Sequence, residues 1–542
     1  MSDSQVRVPV LVVGAGYAGL SAAALLARRG VKAMLVERHP STSVQPKAFG
    51  VNWRALEMLR PVPGLERALV EIWEGIGDGM RIAIASSLSD PDPHMIIEDE
   101  ESEFAFLAGL TPVPNVGAPQ SRVEALLRSA AEELGAELRF STELVSVEQD
   151  ADGVTALVRD LGTGEETTVR ADYMVAADGY RSPVRRMLGI PTSGHGELGQ
   201  TCAIMFQADL GGLVREREVT LWYLQNETFN GAIVTGTGVG YHVLAVNYDP
   251  ARGESEDDFT EERGVELVRV ATGRPGLEVK VIDRTSFAVA HILADRYREG
   301  RVFLAGDAAH TMPPTGGQGG STALQDGCDI AWRLWLVLSG QAGPGLLDSY
   351  DAERRPYGKL VADAQLANLG VRMPPAMRAG FPEPIEDPIA PILGFRYRSG
   401  AVVAEPGDDD GALMEDPREP SGRPGTRAPH VLLERGGREI STIDLFGEGF
   451  VLLAGRYGAA WADAARTVAG RLGVALTPYR IGGEVADREG AWEGRYHVGG
   501  SGAVLVRPDG VIAWRAVHAA SDPAVDPAAE LERALTAVLA RS

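Results

Sequence analysis

The first forty residues constrain the fold most, because they join a buried strand to a helix through three spaced glycines. The run VPVLVVGAGYAGLSAAALLARRGVKAMLVER predicts strand, helix and strand, with Gly14, Gly16 and Gly19 at the turn and Glu37 at the end of the second strand. Such glycines permit a tight turn, let the backbone approach a pyrophosphate and allow close helix packing. An acid at this distance can accept a hydrogen bond from a ribose hydroxyl. The spacing predicts a dinucleotide site in an α/β sheet.

A second glycine-rich stretch lies far along the chain, from Arg301 to Leu334. It reads RVFLAGDAAHTMPPTGGQGGSTALQDGCDIAWRL, which predicts a strand ending at Gly306 and Asp307, a Pro- and Gly-rich turn, and a helix that begins near Gly319 and Gly320. Helix-start amides stabilise negative charge, and Asp307 places an acceptor carboxylate beside them. The stretch could therefore bind a polyol and an electron-rich ring. Taken alone, it is also compatible with an irregular loop.

A third element of the nucleotide-binding type is ADYMVAADGYRSPVRRMLGI. The run from Tyr173 to Ala177 is typical of a strand buried on both faces, and Asp178 and Gly179 follow it. Ligands bind at the carboxyl ends of strands in open α/β sheets, so Asp178 and Arg181 are predicted to contact phosphate or pyridine nucleotide. The alternative is that Asp178 caps the following turn. Gln120 precedes another predicted helix, where its amide could reach a cofactor hydroxyl.

Composition restricts the class of protein. The 542 residues can form two to four domains, and 52 Lys and Arg against 75 Asp and Glu leave a net charge of −23. This balance argues against nucleic acid and anionic membranes as partners. Two cysteines, at 202 and 328, favour a reducing compartment, and nine scattered histidines without HExxH argue against a metal site. The apolar run from Val8 to Ala27 lacks a basic leader and is broken by glycines, so we expect a cytoplasmic protein.

The middle of the chain departs from the alternation of strands and helices. The segments CAIMFQADL, EVTLWYLQ, GAIVTGT and YHVLAVNY predict four short strands of an antiparallel sheet, which MRIAIAS at 80–86 can join. Laid over a bound ring, such a sheet makes a large apolar pocket. Strand alternation puts Trp222 and Tyr223 on opposite faces. We favour Tyr223 as the pocket residue, with solvent-exposed sheet packing as the alternative.

Proline-dense and acidic segments at 373–392 and 404–425 predict loops or linkers. The chain after Arg427 again reads as strands and helices, in TIDLFGEGFVLLAG, AARTVAGRLG, VALTPYRIG and GAVLVRPDGVIAWRA. This region contains no cysteine, which excludes thiol redox chemistry there.

Together, the GxGxxG turn, the DG pair at 178–179 and the GD pair at 306–307 followed by PPTGGQG resemble the FAD-dependent aromatic hydroxylases, the class A flavoprotein mono-oxygenases. The resemblance covers essentially the whole chain, including GPGLLDSYDAERRP at 343–356 and LGFRYRSGAV at 393–402, and is strongest to anthracyclinone and angucyclinone hydroxylases. It implies an α/β fold like that of p-hydroxybenzoate hydroxylase. The expected parts are a discontinuous Rossmann-like FAD-binding domain (1–79, 105–185, 281–392), an antiparallel substrate sheet (80–104, 186–280), a linker (393–426) and a thioredoxin-like C-terminal domain (427–542).

The resemblance also implies roles for individual residues. Glu37 would hold the adenosine ribose, Asp307 a ribityl hydroxyl, and Asp178 with Arg181 both FAD and the passing nicotinamide. The implied cofactor contacts are Gly14, Gly16, Gly19, Glu37, Arg38, Lys47, Gln120, Asp178, Gly179, Arg181, Gly306, Asp307, Pro314, Gly317, Gly319, Gly320 and Ser321. The implied substrate contacts are Tyr223 and Arg372. The alternative for Arg372 is that it is a surface arginine near a helix end.

Three positions depart from the family's pattern. Lys47 stands where Arg is usual and lacks the bidentate fork, while Ser321 and Asp329 stand where Asn is common. These differences bear on the finer positioning of the flavin and remove no cofactor contact outright.

The implied activity is hydroxylation of a polycyclic aromatic polyketide in antibiotic biosynthesis. NADPH or NADH would reduce FAD, O2 would give the flavin C4a-hydroperoxide, and its distal oxygen would attack an electron-rich phenolic carbon. No catalytic side chain is assigned, since an acidic phenol supplies its own electron density. His310 is interpreted as a turn or packing residue rather than a general base.

Other functions stay open on the sequence alone. They are Baeyer–Villiger oxygenation, inactivation of an antibiotic, and non-catalytic binding of flavin or polyketide. A simple NAD dehydrogenase would leave the GD pair and PPTGGQG unexplained. The C-terminal domain is expected to have a structural role or to face a second copy in a homodimer.

Overall fold

The computed structural model describes residues 5–44, 48–77, 79–98, 104–215, 218–371, 373, 378–407, 410–518 and 526–541. Two of the residues that the family resemblance implies, Lys47 and Arg372, lie outside these ranges. The described chain is organised around two large sheets and a smaller C-terminal sheet.

The strands, numbered along the chain, are β1 Gln5–Val13, β2 Ala33–Val36, β3 Phe49–Val51, β4 Met80–Ala85, β5 His94–Ile97, β6 Val116–Pro119, β7 Glu137–Arg139, β8 Thr142–Gln149, β9 Val154–Asp160, β10 Glu166–Ala176, β11 Thr192–Gln207, β12 Val219–Gln225, β13 Asn230–Thr235, β14 His242–Tyr248, β15 Lys280–Ala294, β16 Arg298–Glu299, β17 Val302–Leu304, β18 His310–Thr311, β19 Leu432–Arg435, β20 Arg438–Ser441, β21 Phe450–Ala454, β22 Leu476–Arg480, β23 Ala503–Val506 and β24 Ile512–Ala516.

The α-helices are α1 Tyr17–Arg28, α2 Trp53–Leu59, α3 Leu65–Ile76, α4 Gln120–Glu133, α5 Pro183–Met187, α6 Glu261–Thr272, α7 Gly319–Leu338, α8 Asp348–Val371, α9 Ala390–Leu393, α10 Ala459–Leu472, α11 Ala491–Tyr496 and α12 Pro527–Val538.

The first sheet carries the N-terminal strand at its centre, in the order β16-β17-β10-β1-β2-β7. The pairs from β17 to β7 are parallel, and β9 and β8 extend β10 as an antiparallel meander. The central strands are apolar throughout because helices cover both faces of such a sheet. Val10, Leu11 and Val12 have no exposed surface. The carboxyl ends of β1, β10 and β17 therefore meet at one edge.

The second sheet has the order β18-β15-β11-β14-β13-β12-β4-β5. The four predicted strands and the MRIAIAS segment all belong to it. One face packs on α6, where Trp222 and Leu244 join Leu267 and Val268 in one apolar cluster. On the opposite face of β12 and β13, the described side chains of Leu221, Tyr223, Ala232 and Val234 are only half-buried, and we refer to it as the half-open face.

Two expectations for this sheet need correction. It is not purely antiparallel, because β4 enters from α3 and pairs with β12 in parallel. It also continues past the expected boundary at residue 280. Strand β15 pairs with β11 along almost its entire length, which carries the sheet to Ala294 and on to β18.

The C-terminal sheet has the order β22-β21-β23-β24. Its first pair is parallel around α10 and its other two pairs are antiparallel, which is the thioredoxin-like arrangement. The segment 393–426, expected as a linker, has little regular structure; its two ends are buried, whereas most of the described residues between 404 and 419 are exposed. Phe395 and Tyr397 are buried against Tyr357 of α8, because their rings complete an apolar cluster there.

Candidate functional site: three glycine motifs at the start of the first helix

The glycine turn between β1 and α1 has two packed positions and one open one. At Gly14, whose φ is +103°, a Cβ would lie 2.2 Å from the Ala177 carbonyl oxygen, and at Gly19 it would lie 1.9 Å from the Gly14 carbonyl oxygen. A Cβ at Gly16 would meet nothing within 4 Å. Gly16 is also the N-cap of α1 and has no side chain to cap it. The helix-start amides therefore face open space, as an anion site requires.

Glu37 closes the side of this turn. Its Oε2 accepts a hydrogen bond from the Ala15 amide at 2.8 Å, and its Oε1 accepts one from the His39 amide at 2.8 Å. The carboxylate is thus fixed beside the glycines at the end of β2, where sequence reasoning placed it. Arg38 is exposed next to it.

The DG pair lies beside the same turn, and Asp178 has local partners. Its Oδ1 accepts from Ser182 Oγ at 2.6 Å and its Oδ2 from the Val184 amide at 2.9 Å. Burial raises the pKa of Asp178, and these two hydrogen bonds oppose the rise. Arg181 is exposed, with its guanidinium 5.2 Å from the Tyr180 ring centroid. The capping interpretation accounts for both carboxylate oxygens, and the cofactor contact stays a prediction.

The GD pair forms a single turn of 3₁₀-helix, Gly306–Ala308, directly after β17. Gly306 has a φ of +62°, and its amide donates to Asp326 Oδ2 at 2.9 Å. A Cβ at Gly306 would lie 3.2 Å from that of Ala18 on α1, so the turn sits against the first glycine loop. Asp307 projects outward with an exposed side chain.

The loop after β18 leads into α7, which begins at Gly319 without a side-chain cap. Pro314 and Gly317 are exposed, and a Cβ at Gly317 would meet nothing within 4 Å. At Gly320 a Cβ would lie 2.9 Å from the Tyr17 ring. Ser321 Oγ accepts the Asn52 amide at 2.9 Å, which ties the helix start to α2.

Gln120 is the first residue of α4 rather than the residue before it. Its Oε1 accepts from the Ala48 amide at 3.1 Å, and its Nε2 donates to Glu124 at 2.6 Å. The side chain thus anchors the strand that follows the Lys47 segment.

Tyr223 and Trp222 lie on opposite faces of β12, as alternation predicted. Trp222 is 5% exposed in the cluster against α6, whereas Tyr223 is half-buried on the other face. Its lateral neighbours in the sheet are Ala232 and Ile84. Tyr223 is therefore the one of the pair on the half-open face. Its contact with substrate remains a prediction.

His310 is fully buried. Its Nε2 lies 2.5 Å from Asp326 Oδ2, and its ring packs 5.9 Å from that of Tyr297. This environment supports the interpretation as a packing residue, because the ring reaches no open surface.

Sequence reasoning missed Asp326 and its partner Arg354. Both are fully buried, and Arg354 Nε donates to Asp326 Oδ1 at 2.7 Å. Burial alone would raise the pKa of Asp326, but Arg354 and His310 hold it below its usual range. The available sign was charge inside a mostly apolar helix, since α7 carries Asp326, Asp329 and Arg333, and this sign does not identify the partners.

Three motifs far apart in the chain thus converge on the start of α1. Gly14 lies against Ala177, Gly306 against Ala18 and Gly320 against Tyr17. The buried Tyr17 hydroxyl has no hydrogen-bond partner among the described residues. Two uncapped helix starts, an outward carboxylate and open space at Gly16 and Gly317 fit a flavin dinucleotide, with its anionic parts on the helix starts.

Comparisons with known proteins identify the family. A family model for an FAD binding domain matches residues 7–365, and one for the C-terminal part of aromatic-ring hydroxylases matches residues 421–542. The chain belongs to the FAD-dependent aromatic-ring hydroxylases. The hydroxylase is accordingly an FAD-dependent mono-oxygenase, which confirms the predicted class, fold and flavin cofactor.

Its similarity to individual relatives extends over the full chain. The hydroxylase is 43% identical over 541 residues to aklavinone 12-hydroxylase RdmE of Streptomyces purpurascens, covering 99% of this chain and 100% of that one. It is 42% identical to 4-methyl-5-nitrocatechol 5-monooxygenase of Burkholderia sp, with 99% and 98% covered. The crystal structure of aklavinone-11 hydroxylase with FAD and aklavinone superposes with a TM-score of 0.92 at 42% identity, covering 100% of both chains.

Within the described part of the hydroxylase, no helix combines the length and the apolar character that crossing a bilayer requires.

Proposed function

We propose that the hydroxylase inserts one oxygen atom of O2 into an aromatic ring of a polycyclic polyketide of the anthracyclinone or angucyclinone type. NADPH or NADH supplies two electrons, and the second oxygen atom leaves as water. The observation that carries the proposal is that β18 joins the two parts, since it follows the Gly306–Ala308 turn of the FAD site and pairs with β15 of the second sheet. Full-length similarity to an aklavinone hydroxylase supports the substrate class.

The cofactor side uses the residues at the three converging motifs. Glu37 binds the adenosine ribose, the amides after Gly16 bind the pyrophosphate, and Asp307 binds a ribityl hydroxyl. The first turn of α7 faces the ring, where its amides stabilise the negative charge of the reduced state by a few tenths to ~2 kcal/mol. FAD bound there would supply the redox chemistry, which takes electrons from the nicotinamide and passes them to O2.

The substrate side is the half-open face of the second sheet. Its half-buried residues on three adjacent strands are Leu221, Tyr223, Ala232, Val234 and Ala245. An apolar face of this kind holds a flat ring system and excludes water, while the Tyr223 hydroxyl orients a substrate oxygen. Arg372 is proposed as a second contact to substrate oxygens.

The nicotinamide is proposed to visit the flavin transiently near the DG pair. Arg181 is exposed there and offers a positive charge to a phosphate. Asp178 acts mainly by holding the turn that presents Arg181, because both of its oxygens already accept hydrogen bonds within that turn.

Product analysis tests the proposal. The flavin-loaded hydroxylase is incubated with NADPH or NADH, ¹⁸O2 and a panel of anthracyclinones, angucyclinones and 4-methyl-5-nitrocatechol. One ¹⁸O atom in a phenolic hydroxyl of a polycyclic product supports it. A ring-expanded ester would favour Baeyer–Villiger oxygenation, and turnover of the nitrocatechol alone would favour the monocyclic substrate that the 42% identical Burkholderia relative acts on. Substrate-stimulated NAD(P)H oxidation without labelled product would favour a binding protein.

A further inference from the structure

The C-terminal domain reaches the flavin-binding part of the molecule through buried charge. Arg507, directly after β23, is fully buried. Its Nη1 donates to Glu353 Oε1 at 2.6 Å and its Nη2 to Glu353 Oε2 at 2.8 Å, a bidentate pair across the domain interface. Arg507 also pairs with Asp509 of its own domain. A bidentate Arg–carboxylate pair sets orientation as well as distance.

Glu353 is a junction between three segments. Besides Arg507, it accepts Arg333 Nη2 of α7 at 2.5 Å and Ser399 Oγ at 2.6 Å. Burial would raise its pKa, but Arg507 and Arg333 hold the pKa below the usual range, so Glu353 is charged. A buried charge of this kind tolerates little displacement, because losing either arginine removes one of the two buried cations that compensate it.

The next residue on α8, Arg354, serves the flavin site. It donates from Nε to Asp326 Oδ1 at 2.7 Å and from Nη2 to the Thr322 carbonyl at 3.2 Å, in the first turn of α7. Asp326 in turn accepts from the Gly306 amide and from His310, at the two ends of the turn that carries Asp307. One arginine thereby holds both the Gly306–Ala308 turn and the start of α7 in place.

We propose that the C-terminal domain is a positioning element of the flavin site, acting through Arg507 on Glu353 and through the adjoining Arg354 on the Gly306–His310 turn and the start of α7. Glu353 and Arg354 are consecutive in one helix, so a backbone shift at Glu353 also moves Arg354. Arg507 is a positioning residue that touches neither flavin nor substrate. The inference rests on FAD binding at this turn and is independent of the proposed substrate.

A metal site and a thiol site both account for this cluster less well. The carboxylates of Asp329, Glu353 and Asp509 lie within 4.8 Å of one another, as in some metal sites. Arg333 and Arg507 already supply positive charge to all three, so a cation would have to displace them. A thiol site is not supported either: Cys328 precedes Asp329 on α7, but it is buried, and burial raises the pKa of its thiol to about 12, so it stays protonated.

Two matched substitutions test the proposal. Arg507→Lys keeps the positive charge but removes the guanidinium that donates two parallel hydrogen bonds to one carboxylate. Arg515→Lys does the same to a bidentate pair of the same domain, in which Arg515 binds Glu405 at 2.6 and 2.9 Å. This pair is less buried than the first, since the side chains of Arg515 and Glu405 are 7% and 27% exposed. Arg515 also donates to the carbonyls of Ser421 and Tyr496, away from α7 and α8, so it controls for loss of a bidentate arginine in this domain. FAD dissociation constants, flavin absorption spectra and midpoint potentials are measured for both, with melting temperatures of the apoproteins.

We expect both variants to lower the melting temperature and only Arg507→Lys to weaken FAD, by about tenfold, with a shifted spectrum or potential. Asp326→Asn should weaken FAD too, and the double variant should lose less than the product of the two single effects, although Arg507 and Asp326 do not touch. Any of three results would overturn the proposal. Arg507→Lys could keep the wild-type FAD affinity and spectrum, or both arginine variants could change them equally. The third is a double variant whose loss of FAD affinity equals the product of the two single losses. Glu353→Gln undergoes the same measurements should Arg507→Lys not fold.

Discussion

The glycine-rich edge of the first sheet and the half-open face of the second sheet build their binding surfaces in different ways. At the first, close contact between backbone segments decides which residues fit, since a single Cβ at Gly14 or Gly19 would overlap another residue's carbonyl oxygen. At the second, the backbone is ordinary strand, and the alternation of side chains assigns Trp222 to the core and Tyr223 to the half-open face. The first surface is fixed by the shape of the chain, the second by which side chains it carries.

This difference explains why one scaffold can keep its cofactor and change its substrate. Side chains on a strand face can be exchanged without moving the backbone, whereas Gly14 and Gly19 admit almost no substitution. Substitutions on the two surfaces should therefore differ in kind, and the largest effect is expected at the glycine turn.

The glycine turn should separate folding from cofactor binding. Gly19→Ala places a Cβ 1.9 Å from a backbone oxygen, so we expect a loss of about 3 kcal/mol or more in the free energy of unfolding. Gly16→Ala meets no protein atom within 4 Å and should cost the apoprotein less than about 1 kcal/mol, yet it should bind FAD poorly. Denaturant unfolding and FAD titration measure the two effects. A Gly16→Ala protein with normal FAD affinity would refute the pyrophosphate assignment.

Asp307→Asn should raise the FAD dissociation constant by about ten- to a hundredfold, because a hydrogen bond to a charged group contributes roughly 1.5–3 kcal/mol. Because the side chain is exposed, the melting temperature of the apoprotein should change far less than the affinity for FAD. Fluorescence titration of the apoprotein with FAD gives the constant. Asp283→Asn, on the outer part of β15, is the control and should bind FAD like the wild type.

The two neighbouring aromatic residues on β12 should have opposite phenotypes. Tyr223→Phe removes a hydroxyl on the half-open face and should lower kcat/KM about five- to tenfold at unchanged stability. Trp222→Phe should lower the free energy of unfolding by about 1–2 kcal/mol while KM stays within about twofold, since that ring lies in the core. Steady-state kinetics and thermal unfolding of both variants decide it. A reversal of the two phenotypes would place the pocket on the other face.

The smallest effect concerns pH. Burial lowers the pKa of His242 at the start of β14, so the unfolded chain binds its proton more readily than the folded one. The stability that neutral His242 contributes is therefore present above about pH 6.5 and declines as the pH falls below it. The depressed pKa of Asp326 acts only in stronger acid, below about pH 4. Hydrogen exchange at pH 7 and pH 5.5 should show faster opening of β14 but not of β17, and His242→Gln should abolish the difference.

Much of the flavin site was accessible from the sequence because its determinants are local. Gly14, Gly16, Gly19 and Glu37 stand at fixed offsets along one βαβ unit, and the structure brings them together as predicted. The sheet boundary at 280 was less accessible, since no break in composition marks the point where β15 ends. The parallel entry of β4 depends on where α3 delivers the chain, which strand alternation does not encode.

The sequence by itself determined the flavin class, the order of the domains and the face on which Tyr223 lies, because each follows from residue spacing over a few turns or strands. Only the tertiary structure decided how buried charges are paired. A buried Arg354 or Glu353 must find an opposite charge, since an uncompensated one is costly, but spacing does not say where. Packing supplies Asp326 to the first and Arg507, more than a hundred residues later, to the second. These pairs connect the Gly306–Ala308 turn, which the sequence had marked, to a C-terminal domain whose role the sequence left open.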